Sequence, residues 1–308
     1  MTFQIPYITL HALLVVLNSL PLFWQFRLGN SGPIALGVWV WLANTVDLIN
    51  ASVWYSDTVN RAPIWCDISI KITLGVQIGR LAAVFAIARF LADVVSPRAT
   101  AMTRQDRIRR AAFDYFTSFG VPLLAMGGHI IYQGNRFAIQ RGVGCSVTYL
   151  MSWPYLVLQL IWQPVFAVGS VLYSTYTVYR LIRHRRNFAR VVAGSHSALT
   201  TSRFMRLLAL SLSYLLIGVP LALWTTVEAI RRSQRYSDYS WNYFRSAWHL
   251  APITYNEQLP SARLPTFWSD IIIGFIFFAA FGFGTEAVEV YKRAVSPCLG
   301  RRSALGPS

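Results

Sequence analysis

Three ionisable side chains, Asp47, Lys71 and Arg80, interrupt stretches of this chain that are otherwise apolar. A charge placed in hydrocarbon is costly, so each needs a partner, water or a function. In a helix rising about 1.5 Å per residue, Lys71 lies about 8 Å below Cys66 and Asp47 about 20 Å above Ile34. In a hydrocarbon core about 30 Å thick these depths nearly match. An Asp47–Lys71 pair is therefore expected; the alternative is a Lys71 that snorkels outward and an Asp47 that is neutral or solvated. Arg80, about 21 Å below Cys66, has no carboxylate at its level in this reading. Signatures of catalysis are missing: there is no HExxH, no Gly-rich phosphate loop, no GxSxG and no CxxC. The five histidines (His11, His129, His184, His196, His249) are too scattered to suggest a metal site. The chain reads as a protein that is not an enzyme and holds no cofactor and no metal.

The elements that must position these residues follow from composition. Of 308 residues 55% are hydrophobic and 13% charged, where soluble domains carry about 25% charged residues. Mean hydropathy is +0.42. This much apolar surface needs lipid as solvent, which excludes a soluble enzyme, a disordered chain and a disulfide-stapled secreted module. The net charge of +16 suggests an anionic partner. The basic residues fall between apolar blocks, so acidic membrane lipids fit and nucleic acid does not. Seven stretches reach the roughly 20 apolar residues a membrane helix needs: 5–26, 34–54, 66–90, 112–132, 154–179, 205–227 and 267–290. The fold expected is all-α, an integral membrane bundle of seven transmembrane helices. It forms one domain over 1–293, followed by a cytoplasmic tail over 294–308. The fourth stretch is the weakest, with Gly120, Pro122, Gly127, Gly128 and His129 inside it.

Charge asymmetry gives the orientation. With the N-terminus outside, eighteen basic residues fall on cytoplasmic segments and eight outside, Lys71 and Arg80 lying within a span. The positive-inside rule then places the C-terminus in the cytoplasm. The first span reads as an uncleaved signal-anchor, since it lacks a basic n-region and a small-residue cleavage site. Cys66 and Cys145 face the oxidising side, as a disulfide or as two buried thiols. Cys298, just past the last span, is a palmitoylation candidate or an unmodified thiol. Between spans 5 and 6 the segment from Arg180 to Phe188 is basic and partly amphipathic, suited to acidic lipids or a docking protein. The seventh span has no lysine before Lys292, which argues against a retinal Schiff base.

Several stretches also resemble one family in chain order. Trp65-Cys66-Asp67-Ile68-Ser69-Ile70-Lys71 opens the third span and Arg89 closes it. Gln133-Gly134-Asn135-Arg136-Phe137 is followed by Gly144-Cys145. Arg185-Arg186-Asn187-Phe188 ends the fifth span, and Ser202-Arg203-Phe204-Met205-Arg206-Leu207 leads into a sixth that contains Pro220. Pro265-Thr266-Phe267-Trp268-Ser269-Asp270 opens the seventh, and Phe281-Gly282-Phe283-Gly284-Thr285-Glu286-Ala287 lies near its end. Together these resemble the fungal lipopeptide mating-pheromone receptors, the a-factor-receptor-like class D seven-helix G-protein-coupled receptors. Two departures stand out: Arg141 where the family often has an acidic residue, and a tail shorter than many members carry.

The resemblance implies a plasma-membrane, multi-pass receptor for a farnesylated peptide mating pheromone, signalling to the alpha subunit of a heterotrimeric G protein. The alternative of another class is a seven-span transporter or scaffold with a polar site around Asp47, Lys71 and Arg80. On the receptor reading, Asp67, Arg136, Glu228 and Asp270 are candidate peptide readers, with Lys71 and Phe137 beside them. Trp65, Trp153, Trp224 and Trp268 are candidate walls of the ligand site. Arg89, Arg185, Arg186, Arg203, Arg206 and Glu286 are candidates for G-protein coupling or the switch. A resting latch between Glu286 and Arg206 or Arg203 is expected to contribute ~0.5–1 kcal/mol at a partly wet interface; the alternative pairs Glu289 with Arg293 and leaves Glu286 solvated.

Overall fold

The computed structural model describes residues 4–96, 104–183, 201–232, 240, 242, 252–255 and 264–283. Its helices are α1 (Gln4–Leu28), α2 (Ser31–Val53), α3 (Pro63–Val94), α4 (Arg104–Tyr115), α5 (Val121–Tyr132), α6 (Trp153–Tyr155), α7 (Trp162–Arg183), α8 (Thr201–Arg232) and α9 (Leu264–Phe281). Five of the described helical segments are long and apolar enough to cross a membrane: α1, α2, α3, the stretch from Trp153 to Arg183, and Thr201–Trp224 of α8. The expected stretches 5–26, 34–54 and 66–90 fall almost entirely inside helices that run further. The third begins at Pro63, whose ring suits the first turn of a helix. Beyond residue 283 the expected seventh stretch lies outside the described residues.

Two prolines shape the fourth and fifth stretches. Pro122 has no N–H to donate, and its ring crowds the carbonyl of Ser118 one turn earlier. The backbone widens into a π-turn over Phe116–Gly120, where the Val121 N–H reaches back five residues to Phe116. The Ser118 carbonyl thereby released accepts the indole N–H of Trp39 at 2.8 Å. Trp39 approaches α3 closely because position 79 is glycine; a Cβ there would stand 2.3 Å from the indole nitrogen. A second π-turn over Leu156–Leu160 lies ahead of Pro164, with the Ile161 N–H on the Leu156 carbonyl at 2.9 Å. π-turns of this kind recur at functional sites.

Helix α3 is central, packing on α2, α5, α7 and α8, while α9 closes the bundle against α1, α2 and α8. The largest cluster of buried side chains draws on α2, α3, α5, α7, α8 and α9, with Leu36, Ile78, Phe166, Phe204 and Phe277 among its members. The outer side of α1 exposes Leu13, Val16, Leu20 and Phe23. Apolar side chains turned outward this way suit lipid.

One end of the bundle carries a lid. Strands β1 (Ala138–Gln140) and β2 (Gly144–Ser146) form an antiparallel hairpin, and β3 (Ile253–Tyr255) adds in parallel to β1. The hairpin turns on Gly142 and Gly144, both at positive φ. Gly144 also lies so close to Asn50 that a Cβ would meet it at 2.6 Å. A disulfide joins Cys145 to Cys66 on α3, with Cα atoms 5.2 Å apart. Trp54, Ile70, Phe137 and Ile139 are fully buried around it.

Candidate functional site

Arg80 has a partner, and it comes from the far end of the chain. Its Nη1 donates to Asp270 Oδ1 of α9 at 2.5 Å, with the two side chains 11% and 18% exposed. The Ser269 hydroxyl donates to the same carboxylate oxygen at 3.1 Å. Asp270 is therefore no free reader at the mouth of the bundle. The sequence placed it near the start of its span, and it is indeed six residues below Leu264, about 9 Å. Arg80 is seventeen residues below Pro63, about 26 Å along α3. The two levels coincide because the helices do not start at a common height.

The expected Asp47–Lys71 pair is not made. The two side chains sit at compatible depths but on helix faces that look in different directions. Asp47 on α2 turns toward α1 and α9: its Oδ2 is 3.8 Å from His11 Nε2. It also lies within hydrogen-bonding reach of the Tyr7 hydroxyl and the Asp270 carboxyl. Lys71 turns toward α5, where its ammonium donates to His129 Nδ1 at 2.9 Å. The other nitrogen of that ring donates to the Thr148 carbonyl at 3.1 Å. Both bonds are satisfied by a neutral His129 with its proton on Nε2.

A cavity of about 140 Å³ opens beside Arg80, between α3, α7, α8 and α9. Gln77, Arg80, Gln163 and Tyr214 give it polar edges; Leu81, Leu160, Leu221 and Ile273 give it apolar walls. The Nε of Arg80 is buried without a hydrogen-bond partner, so the guanidinium keeps donor capacity beyond its bond to Asp270. Tyr149 and Tyr155, their rings stacked 4.4 Å apart, border the cavity where the chain leaves the hairpin. Gln77, Gln163, Tyr155 and Tyr214 escaped the sequence reading because uncharged polar and aromatic residues in a span have no cost that marks them out.

The remaining sequence candidates divide by place. At the lid, Asp67 and Arg136 form a bidentate pair at 2.6 and 3.1 Å that stays solvent-accessible. The Asp67 carboxylate raises the Arg136 pKa, and Arg61 likewise holds the Asp57 carboxyl below its ordinary range. Phe137 is fully buried against the disulfide, and Trp65 donates to Asn50 Oδ1 at 2.8 Å. Trp153 and Trp224 are about half exposed, and Trp268 packs edge-on against Tyr7. The side chain of Glu228 lies outside the described residues.

At the opposite end, Arg89 donates to Asp114 at 2.9 Å, and Asp114 also accepts from Ser31 at 2.7 Å. One turn away on each helix, Arg110 meets Asp93 at 2.9 Å. The two ion pairs run in opposite senses between α3 and α4, and Arg89 lies over the Phe113 ring at 4.3 Å. The sequence offered no sign of this reciprocal clamp beyond the basic character of the loop. Arg203 and Arg206 lie in the first turns of α8. Arg185, Arg186, Glu286 and Cys298 lie outside the described residues, and with them the expected latch.

Apolar helices of membrane-spanning length, an ion pair buried among them and a cavity beside that pair define a multi-pass helical membrane protein with an internal site. The family model described as Pheromone A receptor (STE3) matches residues 6–300, and the chain belongs to that family, one of receptors rather than enzymes. It is 30% identical over 307 residues to Pheromone receptor 1 of Ustilago hordei, covering 96% of this chain and 83% of that one. It is 31% identical over 297 residues to the Pheromone B alpha 3 receptor of Schizophyllum commune, covering 91% and 45%. To the Pheromone a factor receptor of Saccharomyces cerevisiae it is 25% identical over 301 residues, covering 95% and 62%. The chain thus spans most of the first of these relatives but about half of the second.

Proposed function

We propose that this chain is a seven-span G-protein-coupled receptor of the plasma membrane, with its N-terminus outside, its C-terminal tail in the cytoplasm, and a farnesylated peptide mating pheromone as its ligand. The observation that carries the reading is the cavity beside Arg80, in a chain whose family match runs from residue 6 to residue 300. A peptide needs polar partners and a prenyl chain needs apolar surface, worth about 0.8 kcal/mol per buried CH₂. The cavity offers both kinds of wall. On this reading the hairpin end is extracellular, where the Cys66–Cys145 bridge persists. The pair of Asp67 and Arg136, with Lys71, Trp65, Phe137, Trp153, Trp224, Glu228 and Trp268, forms or supports the route inward. Arg80 and Asp270 lie at its floor. Arg89 and the arginines at the start of α8, with Arg185, Arg186 and Glu286, face the cytoplasm, where a G protein alpha subunit docks.

The reading is tested by binding of a panel of farnesylated peptides to membranes that carry the chain. Saturable binding of one peptide, lost with its unprenylated form and weakened by Gln77→Ala or Tyr214→Ala at equal expression, supports it. Equal binding of prenylated peptides to membranes lacking the chain overturns it.

A further inference from the structure

The buried cluster that joins α1, α2, α3 and α9 is one positive charge short. Its charged members are Arg80, Asp47 and Asp270, and the groups that face them are His11 and Tyr7 of α1, Asn44 of α2, Tyr214 of α8 and Ser269 of α9. With a neutral imidazole the sum is one negative charge among apolar helices, an arrangement lipid-embedded proteins rarely leave uncompensated.

The hydrogen bonds of His11 show where the compensation belongs. Asn44 Nδ2 donates to the Val40 carbonyl at 2.8 Å, so its Oδ1 is the atom turned to His11 Nδ1 at 2.9 Å. An amide oxygen only accepts, which places a proton on Nδ1. Nε2 then points at Asp47 Oδ2, 3.8 Å away, and has no hydrogen-bond partner although His11 is fully buried. A bare lone pair aimed at a carboxylate is repulsive, and a second carboxyl, Asp270, also lies within reach of Asp47. One proton balances the cluster: on Nε2 it gives an imidazolium–carboxylate pair, and on Asp47 it removes the second carboxylate charge and donates to one of the two neighbouring acceptors, His11 Nε2 or an Asp270 oxygen.

We propose that the His11–Asp47 pair is a binding site for a single exchangeable proton, and that this proton staples α1 and α2 to α9 in the arrangement described. His11 is sealed, whereas 28% of the Asp47 side chain remains accessible, so exchange takes place through Asp47. Loss of the proton leaves Asp47 and Asp270 facing each other with only Arg80 to neutralise both, so α2 and α9 are driven apart. The proposal does not depend on what the cavity binds, and a failure of the pheromone reading leaves it standing.

The sign follows from linkage. The closed arrangement holds a proton that the opened one gives up, so its stability falls as pH rises. A free imidazole releases its proton near about pH 6.5. Above that, the ratio of closed to opened receptor falls up to tenfold per pH unit until the cluster itself has titrated. The test is thermal unfolding of the purified full-length chain in lipid nanodiscs from about pH 5 to about pH 9 at constant ionic strength. Sodium is compared with a bulky organic cation at each pH, and Asp47→Asn and His11→Gln are measured alongside wild type. The expected result is a wild-type melting temperature that falls with pH in either salt and a flattened profile in both variants. A flat wild-type profile, or a slope kept by both variants, overturns the proposal. So does a sodium-specific stabilisation at fixed pH that Asp47→Asn abolishes, because the missing charge is then a metal cation. Should the variants fail to fold, infrared difference spectra of wild type decide: a protonated-carboxyl or imidazolium band lost on alkaline titration supports the site, and no such band overturns it.

Discussion

Replacing Arg80 by leucine is the most severe single change that the bundle geometry predicts. The guanidinium is 11% exposed and bound to Asp270 at 2.5 Å. Its loss leaves Asp270 unpaired and removes the cation nearest Asp47. Breaking a buried pair from one side costs about 3–5 kcal/mol, and Arg80→Leu falls in that range because it strands Asp270, while Asp47 keeps the proton it shares with His11. Asp270→Leu is milder, since Arg80 can turn to Asp47. Its cost is about 1.5–3 kcal/mol, that of a charge-assisted hydrogen bond. The double variant Arg80→Leu/Asp270→Leu removes both charges and returns most of the stability, because a buried pair replaced by apolar side chains is often neutral. Denaturation of the four proteins in mixed micelles gives the coupling energy. The structure predicts at least about 2 kcal/mol of coupling, with peptide binding lost in the double variant although folding is recovered. Additivity within about 0.5 kcal/mol would show that the two residues do not touch, and the reasoning built on their contact would fall.

Three further outcomes follow from other contacts. Cys66→Ser or Cys145→Ser opens a loop 79 residues long in sequence separation; with helices persisting in the unfolded state, the loss is about 2–4 kcal/mol. Reductant should lower the melting temperature of wild type by the same amount and leave the variants unmoved. Gly79→Ala forces a Cβ to 2.3 Å from the Trp39 indole and costs about 1–3 kcal/mol; Trp39→Leu in the same chain should recover most of it, and no recovery would exonerate Trp39. Asp114→Asn releases Arg89 from α4 and should raise ligand-free signalling severalfold at equal surface expression, whereas the charge exchange Asp93→Arg/Arg110→Asp should leave it near wild type.

What could be read from the sequence was set by length and by cost. An apolar run of membrane-spanning length has few alternatives, so the stretches 5–26, 34–54 and 66–90 fall almost entirely within α1, α2 and α3, whereas the fourth stretch is divided among α4, a π-turn and α5. Cys66 and Cys145 were legible as a candidate pair because both fall at the same, oxidising end of the bundle, where two thiols within reach bridge. Partner choice was not legible. Depth alone matched Asp47 to Lys71, but a helix places neighbours by rotation as well as by height. The side chains that settled the question, His11 for Asp47 and His129 for Lys71, carry no charge that advertises them. Arg80 and Asp270 are 190 residues apart, and aligning spans at a common surface put them at different levels. The π-turn ahead of Pro122 shifted the register of the fourth stretch in a way that hydropathy does not record.

The proposed function requires that a prenylated peptide entering the cavity beside Arg80 drives a G protein. Its most direct test is nucleotide exchange on a purified heterotrimeric G protein reconstituted with the full-length chain in lipid vesicles, with farnesylated peptides supplied to the hairpin side. One such peptide should accelerate exchange in a saturable manner, its unprenylated form should not, and Tyr214→Ala should weaken the response at unchanged receptor content. Exchange that stays at the receptor-free rate with every peptide that binds the chain would contradict it.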